Sequence, residues 1–194
     1  MIAYVKGDFV HKTPAVVHVD VNGVGYEVQI SLNTFSNIQS LSKGVLHTFL
    51  HIKEDAHTLY GFFEPAEKEM FIQLISISGV GASTARMMLS SLKPDEIARY
   101  ILQGNARALE AIKGIGRKTA ERIILELRDK LNKQSTEPNI SAVQHNTLEQ
   151  DALHALISLG ITKAVGEQAI RRVLSSGPAP DKVEDIIKKA LKTL

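Results

Sequence analysis

The chain has 194 residues, with 23 Lys+Arg against 21 Asp+Glu for a formal net charge of +2, 44% hydrophobic residues and no Cys. The lack of Cys excludes disulfide frameworks, thiolate zinc sites and cysteine nucleophiles, and no apolar run approaches the roughly 18 residues of a membrane span. Lys6 and Asp8 interrupt the stretch where a secretory signal needs an unbroken apolar core, so a cytoplasmic globular protein is expected.

Residues 1–64 alternate with period two. The runs are Val17-Val19-Val21, Val24-Tyr26-Val28-Ile30, Leu46-Thr48-Leu50-Ile52 and Leu59 to Phe63, and Asn22-Gly23 favours a tight hairpin turn between the first two. At least four short strands in so few residues predict a small antiparallel barrel or sandwich. Tyr26, Phe49, Tyr60 and Phe62 fall on alternating positions that place them in its interior. Five His (11, 18, 47, 51 and 57) share this segment. His47 and His51 share one strand face, and no closed ligand set with zinc spacing appears, so no metal or other cofactor is expected.

From residue 65 to 133 the period turns helical. Phe71, Leu74 and Ile75 mark one helix, then Ala85, Met88, Leu89 and Leu92 another; Leu109 and Ile112 follow, then Ala120, Ile123, Ile124, Leu127 and Leu131. Residues 134–146 are polar, contain Pro138 and lack periodicity, which predicts a flexible linker. Residues 147–194 predict three short helices. Thr147 with Gln150 makes a capping box for the first and Gly160 stops it; Thr162 caps the second, and Asp181 with Glu184 opens the third. Units this small bury little of their surface, so the first two are expected to share an interface and the last to be tethered.

Partitioned, the near-neutral total separates into opposed parts. Residues 1–64 hold four Lys+Arg and six Asp+Glu, residues 65–133 hold 12 and eight, and residues 134–194 hold seven of each. The middle segment is basic at +4 beside an acidic first segment at −2.

That basic segment contains a repeat. Ser78-Gly79-Val80-Gly81-Ala82 and Lys113-Gly114-Ile115-Gly116-Arg117 are Gly-hydrophobic-Gly turns 35 residues apart, each between two helical patterns. The glycines permit a tight turn, and Val80 and Ile115 can plug the flanking helices together. Backbone N–H groups of such a turn and of the helix that follows form an anion site. It meets phosphate rather than base, and so holds nucleic acid without choosing sequence. Lys118 and Arg122 lie at i and i+4 on the second such helix, with Arg117 beside them. This is a tandem helix-hairpin-helix pattern. Gly116-Arg117-Lys118-Thr119 is not a phosphate-binding P-loop, because Arg117 separates Gly from Lys and Ala111 stands where the earlier Gly belongs. In the barrel, Glu54 and Asp55 read from the residues alone as two solvated acids of a hairpin turn.

The residues together resemble the RuvA family of Holliday-junction recognition subunits over essentially the whole chain. The resemblance is carried by Met1-Ile2 with Gly7, Asn22-Gly23-Val24-Gly25-Tyr26-Glu27-Val28, Glu54-Asp55-Ala56, Leu59-Tyr60-Gly61-Phe62, Gly79-Val80-Gly81, the run from Gly114 to Arg122, and Leu156-Ile157-Ser158-Leu159-Gly160. It implies a β-then-α multidomain chain. An OB-fold barrel spans 1–64, a double helix-hairpin-helix domain 65–133, a flexible linker 134–146 and a three-helix UBA-like bundle 147–194. It also implies a non-enzymatic subunit that tetramerises on four-way junction DNA and holds it open in recombination and repair. The ATPase RuvB would be its motor and the resolvase RuvC a further partner.

Onto this chain the resemblance carries DNA contacts at Gly79, Val80, Gly81, Ser83, Gly114, Ile115, Gly116, Arg117, Lys118, Thr119 and Arg122. Glu54 and Asp55 would form an acidic pin facing the crossover, where carboxylates repel phosphate within about a Debye length, ~8 Å at physiological salt. Leu156, Leu159 and Ile161 are candidates for the RuvB-docking surface, with core packing an equal claim on the two leucines. One departure stands out: family members commonly carry Lys after the first turn, where this chain has Ser83-Thr84, and Arg86 one turn further on is the candidate to compensate. The alternative from another class is a helix-hairpin-helix repair enzyme, a glycosylase or a nuclease. A nuclease needs clustered carboxylates for Mg²⁺, and beside Glu54-Asp55 no third ligand is evident.

Overall fold

A computed structural model describes residues 1–136, 148–175 and 182–193. The chain divides into two compact units, Met1–Pro138 and Asn139–Leu194.

The first unit begins with a closed five-stranded barrel. Its strands are β1 (Tyr4–Lys12), β2 (Val16–Val21), β3 (Val24–Ile30), β4 (Lys43–Ile52) and β5 (His57–Phe62), in the order β1-β2-β3-β5-β4, with β4 closing back on β1. All neighbours pair antiparallel except β3 and β5. The short α1 (Leu32–Ile38) links β3 to β4, an OB-fold arrangement. The Asn22-Gly23 turn forms as its sequence predicts: both residues have positive φ, and the Asp20 carboxylate accepts the Gly23 N–H at 2.9 Å. Inward residues fill the barrel with Val5, Phe9, Val17, Val19, Val28, Ile30, Leu46 and Leu59, with Ile38 of α1 closing one end.

Three of the four aromatics expected inside this barrel lie elsewhere. Phe49, Tyr60 and Phe62 project from the outer face of β4–β5, where Phe71 meets them with ring centroids 5.7, 5.0 and 4.9 Å away. Alternation predicts two faces correctly but cannot say which is enclosed. Here the outer face is covered as well, by α2 (Pro65–Ile75), so both faces of the hairpin are apolar.

After α2 come α3 (Ala82–Ser91), α4 (Pro94–Leu102), α5 (Ala106–Glu110) and α6 (Arg117–Thr136). Their core continues from the barrel's outer aromatics through Leu74, Met88, Leu89, Ile97, Ile101, Leu109, Ile123 and Leu127. The helix α6 runs to Thr136 and takes in the first three residues of the expected linker.

A polar seam joins barrel to helices. The Glu67 carboxylate of α2 is 2% exposed and accepts from the Ser31 and Thr34 hydroxyls, the latter at 2.7 Å. Ser31 also caps α1 through the Thr34 N–H, and the Thr34 hydroxyl accepts the Phe63 N–H at 3.0 Å. Burial pushes the Glu67 pKa above the usual carboxylate range, against the lowering effect of the two hydroxyl donors. Further along, the Asn33 amide donates to the carbonyls of Leu89 and Leu92, and the Leu32 N–H donates to the Ser90 hydroxyl.

The second unit contains α7 (Leu148–Ser158), α8 (Lys163–Ser175) and α9 (Val183–Lys192) around Ala152, Leu156, Ala169, Ile170, Val173, Ile186 and Ala190. Gly160, at φ 90°, ends α7 as expected. The residue preceding α9 is Lys182, with no side-chain cap bond. The expected caps Thr147 and Asp181, and most of the linker, lie outside the described residues.

Candidate nucleic-acid interface

The two Gly-hydrophobic-Gly turns have the same construction. Gly79 and Gly114 hold φ of 92° and 93°, a region that favours glycine. The Val80 N–H bonds to the Ile77 carbonyl at 3.0 Å, and the Ile115 N–H bonds to the Ile112 carbonyl at 3.1 Å. In both, the second glycine opens a helix: the Gly81 carbonyl accepts from Ala85 and the Gly116 carbonyl from Ala120, each at 2.9 Å. The three N–H groups after each second glycine precede the first donor of the helical ladder and have no acceptor in their own helix. These are Ala82, Ser83 and Thr84 in one turn, and Arg117, Lys118 and Thr119 in the other.

Val80 and Ile115, expected among the DNA contacts, are only 4% and 5% exposed, and their N–H groups are already bonded within the turn. They plug the helix pairs together, and the N–H groups without an acceptor in their own helix belong to the residues that follow. Gly79, Gly81, Ser83, Gly114 and Gly116 are exposed, and a Cβ added at any of the four glycines would meet nothing within 4 Å. The turns therefore leave space for an anion to approach the backbone closely.

The charge around the turns is unequal. Beside the second lie exposed Lys113, Arg117, Lys118 and Arg122, while Thr119 is half-buried. Arg117 donates to Glu121 at 2.9 Å, and the Arg122 guanidinium lies 3.8 Å from Glu126, both i,i+4 pairs on an exposed helix face. Such exposed pairs are worth little and exchange readily for another anion. Lys118 makes no ion pair among the described residues. Arg122 also donates to the Ser78 carbonyl at 3.3 Å, which ties the second hairpin's helix to the first hairpin's turn and sets the two sites side by side. Sequence reasoning omitted Lys113 as a contact, although it occupies in the second turn the place Ser78 has in the first.

The helix that follows the first turn brings no such charge to it, and Arg86 does not supply it. Its guanidinium points away from the turn to the barrel, donating to the Ala15 carbonyl at 3.1 Å and the Gln29 side-chain oxygen at 2.5 Å. The expected compensation for Ser83-Thr84 fails because the barrel lies on that side of α3. No local signal in the sequence announces the bond, since its partners are 71 and 57 residues away.

Glu54 and Asp55 sit at the tip of the β4–β5 hairpin. Ile52 pairs with His57, the Lys53 N–H closes the turn on the Ala56 carbonyl at 2.9 Å, and all four loop residues are exposed. Neither carboxylate makes an ion pair among the described residues. In the second unit, Leu156 is fully buried and belongs to the bundle core, so it cannot dock a partner; its place on the inner face of α7 decides between the two roles. Ile161 packs partly buried against that core, and Leu159 is 63% exposed. Among the described residues no group of three His, Asp or Glu is placed to hold a metal ion, and no helix is long and apolar enough to cross a membrane.

A barrel fused to paired backbone-amide turns, with cations beside one turn, defines a class of chain suited to gripping nucleic-acid backbone without reading bases. Family models narrow this class. "RuvA N terminal domain" matches residues 1–61, "SAM-like Helix-hairpin-helix tandem" residues 71–129, and "RuvA, C-terminal domain" residues 147–194. The chain is 48% identical over 198 residues to the Holliday junction branch migration complex subunit RuvA of Cytophaga hutchinsonii, covering 99% of both chains. It is 45% identical to that of Christiangramia forsetii over the full length of both, and 41% identical to that of Bacteroides fragilis over 203 residues, again over both full lengths. The chain belongs to the RuvA family.

Proposed function

We propose that this chain is a non-catalytic subunit that binds four-way junction DNA as a homotetramer, one copy per arm, and presents the junction to a RuvB-type ATPase. The observation that carries the proposal is the pair of equivalent turns. Their outward N–H groups are donors for two phosphates, and Lys113, Arg117, Lys118 and Arg122 add charge at the second. Gly79, Gly81, Gly114 and Gly116 let the backbone approach, while Ser83 and Thr119 add hydroxyls.

Glu54 and Asp55 act in the opposite sense. Carried at an exposed hairpin tip on an acidic barrel, they repel phosphate at the centre and keep the arms apart. The chain itself hydrolyses no ATP. Residues 147–194 dock the motor, with Leu159 and Ile161 of the proposed set still accessible or partly so, and the resolvase RuvC reaches the same junction. Residues 134–146 would link this domain to a DNA-binding body made of domains 1–64 and 65–133.

Sedimentation of the protein with an immobile four-way junction tests this directly. The expected complex holds four chains on each face of junction that is covered, with every DNA strand intact after incubation with Mg²⁺. A single chain per junction contradicts the assembly. Strand cleavage or base excision favours the repair-enzyme alternative.

A further inference from the structure

We infer that Arg86 is a positioning residue for junction recognition: it fixes the first hairpin relative to the acidic loop, and selectivity for junction over duplex depends on that tie. The inference rests on the function proposed above and concerns how one chain achieves it.

Three observations lead to it. First, α3 brings no cation to its own turn, because Ser83 and Thr84 follow it and Arg86 faces the barrel, and Arg122 reaches that turn only from α6, held on the Ser78 carbonyl. The hold of α3 on phosphate then rests on hydrogen bonds, which weaken steeply when misaligned, whereas a flexible lysine tolerates a change of angle. The first hairpin therefore needs a fixed orientation more than the second does.

Second, Arg86 joins the elements whose relative placement matters. It lies five residues beyond Gly81, about 7.5 Å along α3 from the turn. Its acceptor Gln29 pairs with Tyr60 across β3–β5, and Tyr60 stands five residues, about 17 Å of extended chain, from Asp55 of the acidic loop. One short path of strand pairing, side-chain bond and helix thus runs from Glu54-Asp55 to Gly79-Gly81.

Third, the bond is built to be stiff. A guanidinium with two acceptors, one in the β1–β2 turn and one on β3, fixes a direction that a single bond would leave free. The neighbouring bonds from Leu32 to Ser90 and from Asn33 to Leu89 and Leu92 hold the far end of α3. Arg86 is the tie nearest the turn.

The test uses the full chain and its Arg86→Gln, Arg86→Lys and Gln29→Leu variants. Each is titrated against an immobile four-way junction and against linear duplex of the same length over a series of salt concentrations. Arg86→Gln is expected to lose about tenfold or more in junction affinity, the fold-change of one charge-assisted hydrogen bond, while duplex affinity stays within about twofold. The salt slope is expected to stay unchanged on both, because Arg86 touches no phosphate. Gln29→Leu should reproduce this loss, the double variant should add little to either single change, and Arg86→Lys should restore part of it. Equal losses on junction and duplex, with a slope reduced by about one, would make Arg86 a phosphate contact and overturn the inference. Full junction preference in both Arg86→Gln and Gln29→Leu overturns it as well and leaves the proposed function standing. A wild-type chain with no junction preference sinks both.

Discussion

Gly79 and Gly116 have different tasks in turns of the same kind, and substitutions separate them. At Gly79 the φ of 92° strains any residue with a Cβ although the space around it is open, so Gly79→Ala should destabilise the chain by about 1–2 kcal/mol from backbone conformation alone. Gly116 has neither positive φ nor a crowding neighbour. Gly116→Ala should cost less than about 1 kcal/mol of stability, yet weaken DNA binding by obstructing close approach to the helix start. Thermal melts and titrations of both variants check the contrast. A Gly116→Ala chain with unaltered DNA affinity would remove that turn from the interface. Lys118 differs again, as an exposed cation that makes no ion pair among the described residues. Lys118→Ala should weaken junction and duplex alike and reduce the salt slope by about one. An unchanged slope would mean that Lys118 meets no phosphate.

At the scale of elements, the seam between α1, α2 and the barrel turns on Glu67. Burial raises its pKa, so the fold favours the protonated form. Stability linked to this group is complete below the unfolded value of about 4.3 and is lost as pH rises through the raised folded value. Glu67→Gln keeps a neutral side chain of the same shape and removes that loss. The variant should therefore gain in melting temperature relative to wild type as pH is raised from about 4 to about 8. A variant that falls behind with rising pH would show that the seam favours the carboxylate.

The same scale shows what the residues made legible. Strands β2 to β5 follow from alternation, and the paired turns from glycine spacing. Strand β1 does not, because Gly7 stands between the inward Val5 and Phe9; a Cβ there would meet the Asp20 carbonyl at 2.0 Å, so close passage of β2 takes the place of an apolar side chain. The helix α4 carries a local start signal, with Pro94 in its first turn and Glu96 accepting the Lys93 N–H at 2.9 Å. The seven-residue α1 carries little helical signal of its own and is held by the Ser31 cap and by Glu67. The site was legible to the same limit: residues close in sequence emerged together, whereas the Arg86–Gln29 and Arg122–Ser78 bonds depend on tertiary packing.

Across the whole molecule, the charge of +2 conceals a division of labour. An acidic barrel at −2 carries Glu54 and Asp55, and the helices behind it carry +4. Both lie in one compact unit, so the repulsion proposed at the loop and the attraction proposed at the turns would act within the same body. Linear duplex can satisfy the turns but offers nothing to separate, whereas a junction presents several arms and a crowded centre. The most direct measurement of this difference is the affinity of the full chain for an immobile four-way junction and for linear duplex of equal length, at the same salt concentration. The junction should bind more tightly, and equal affinities would contradict the account.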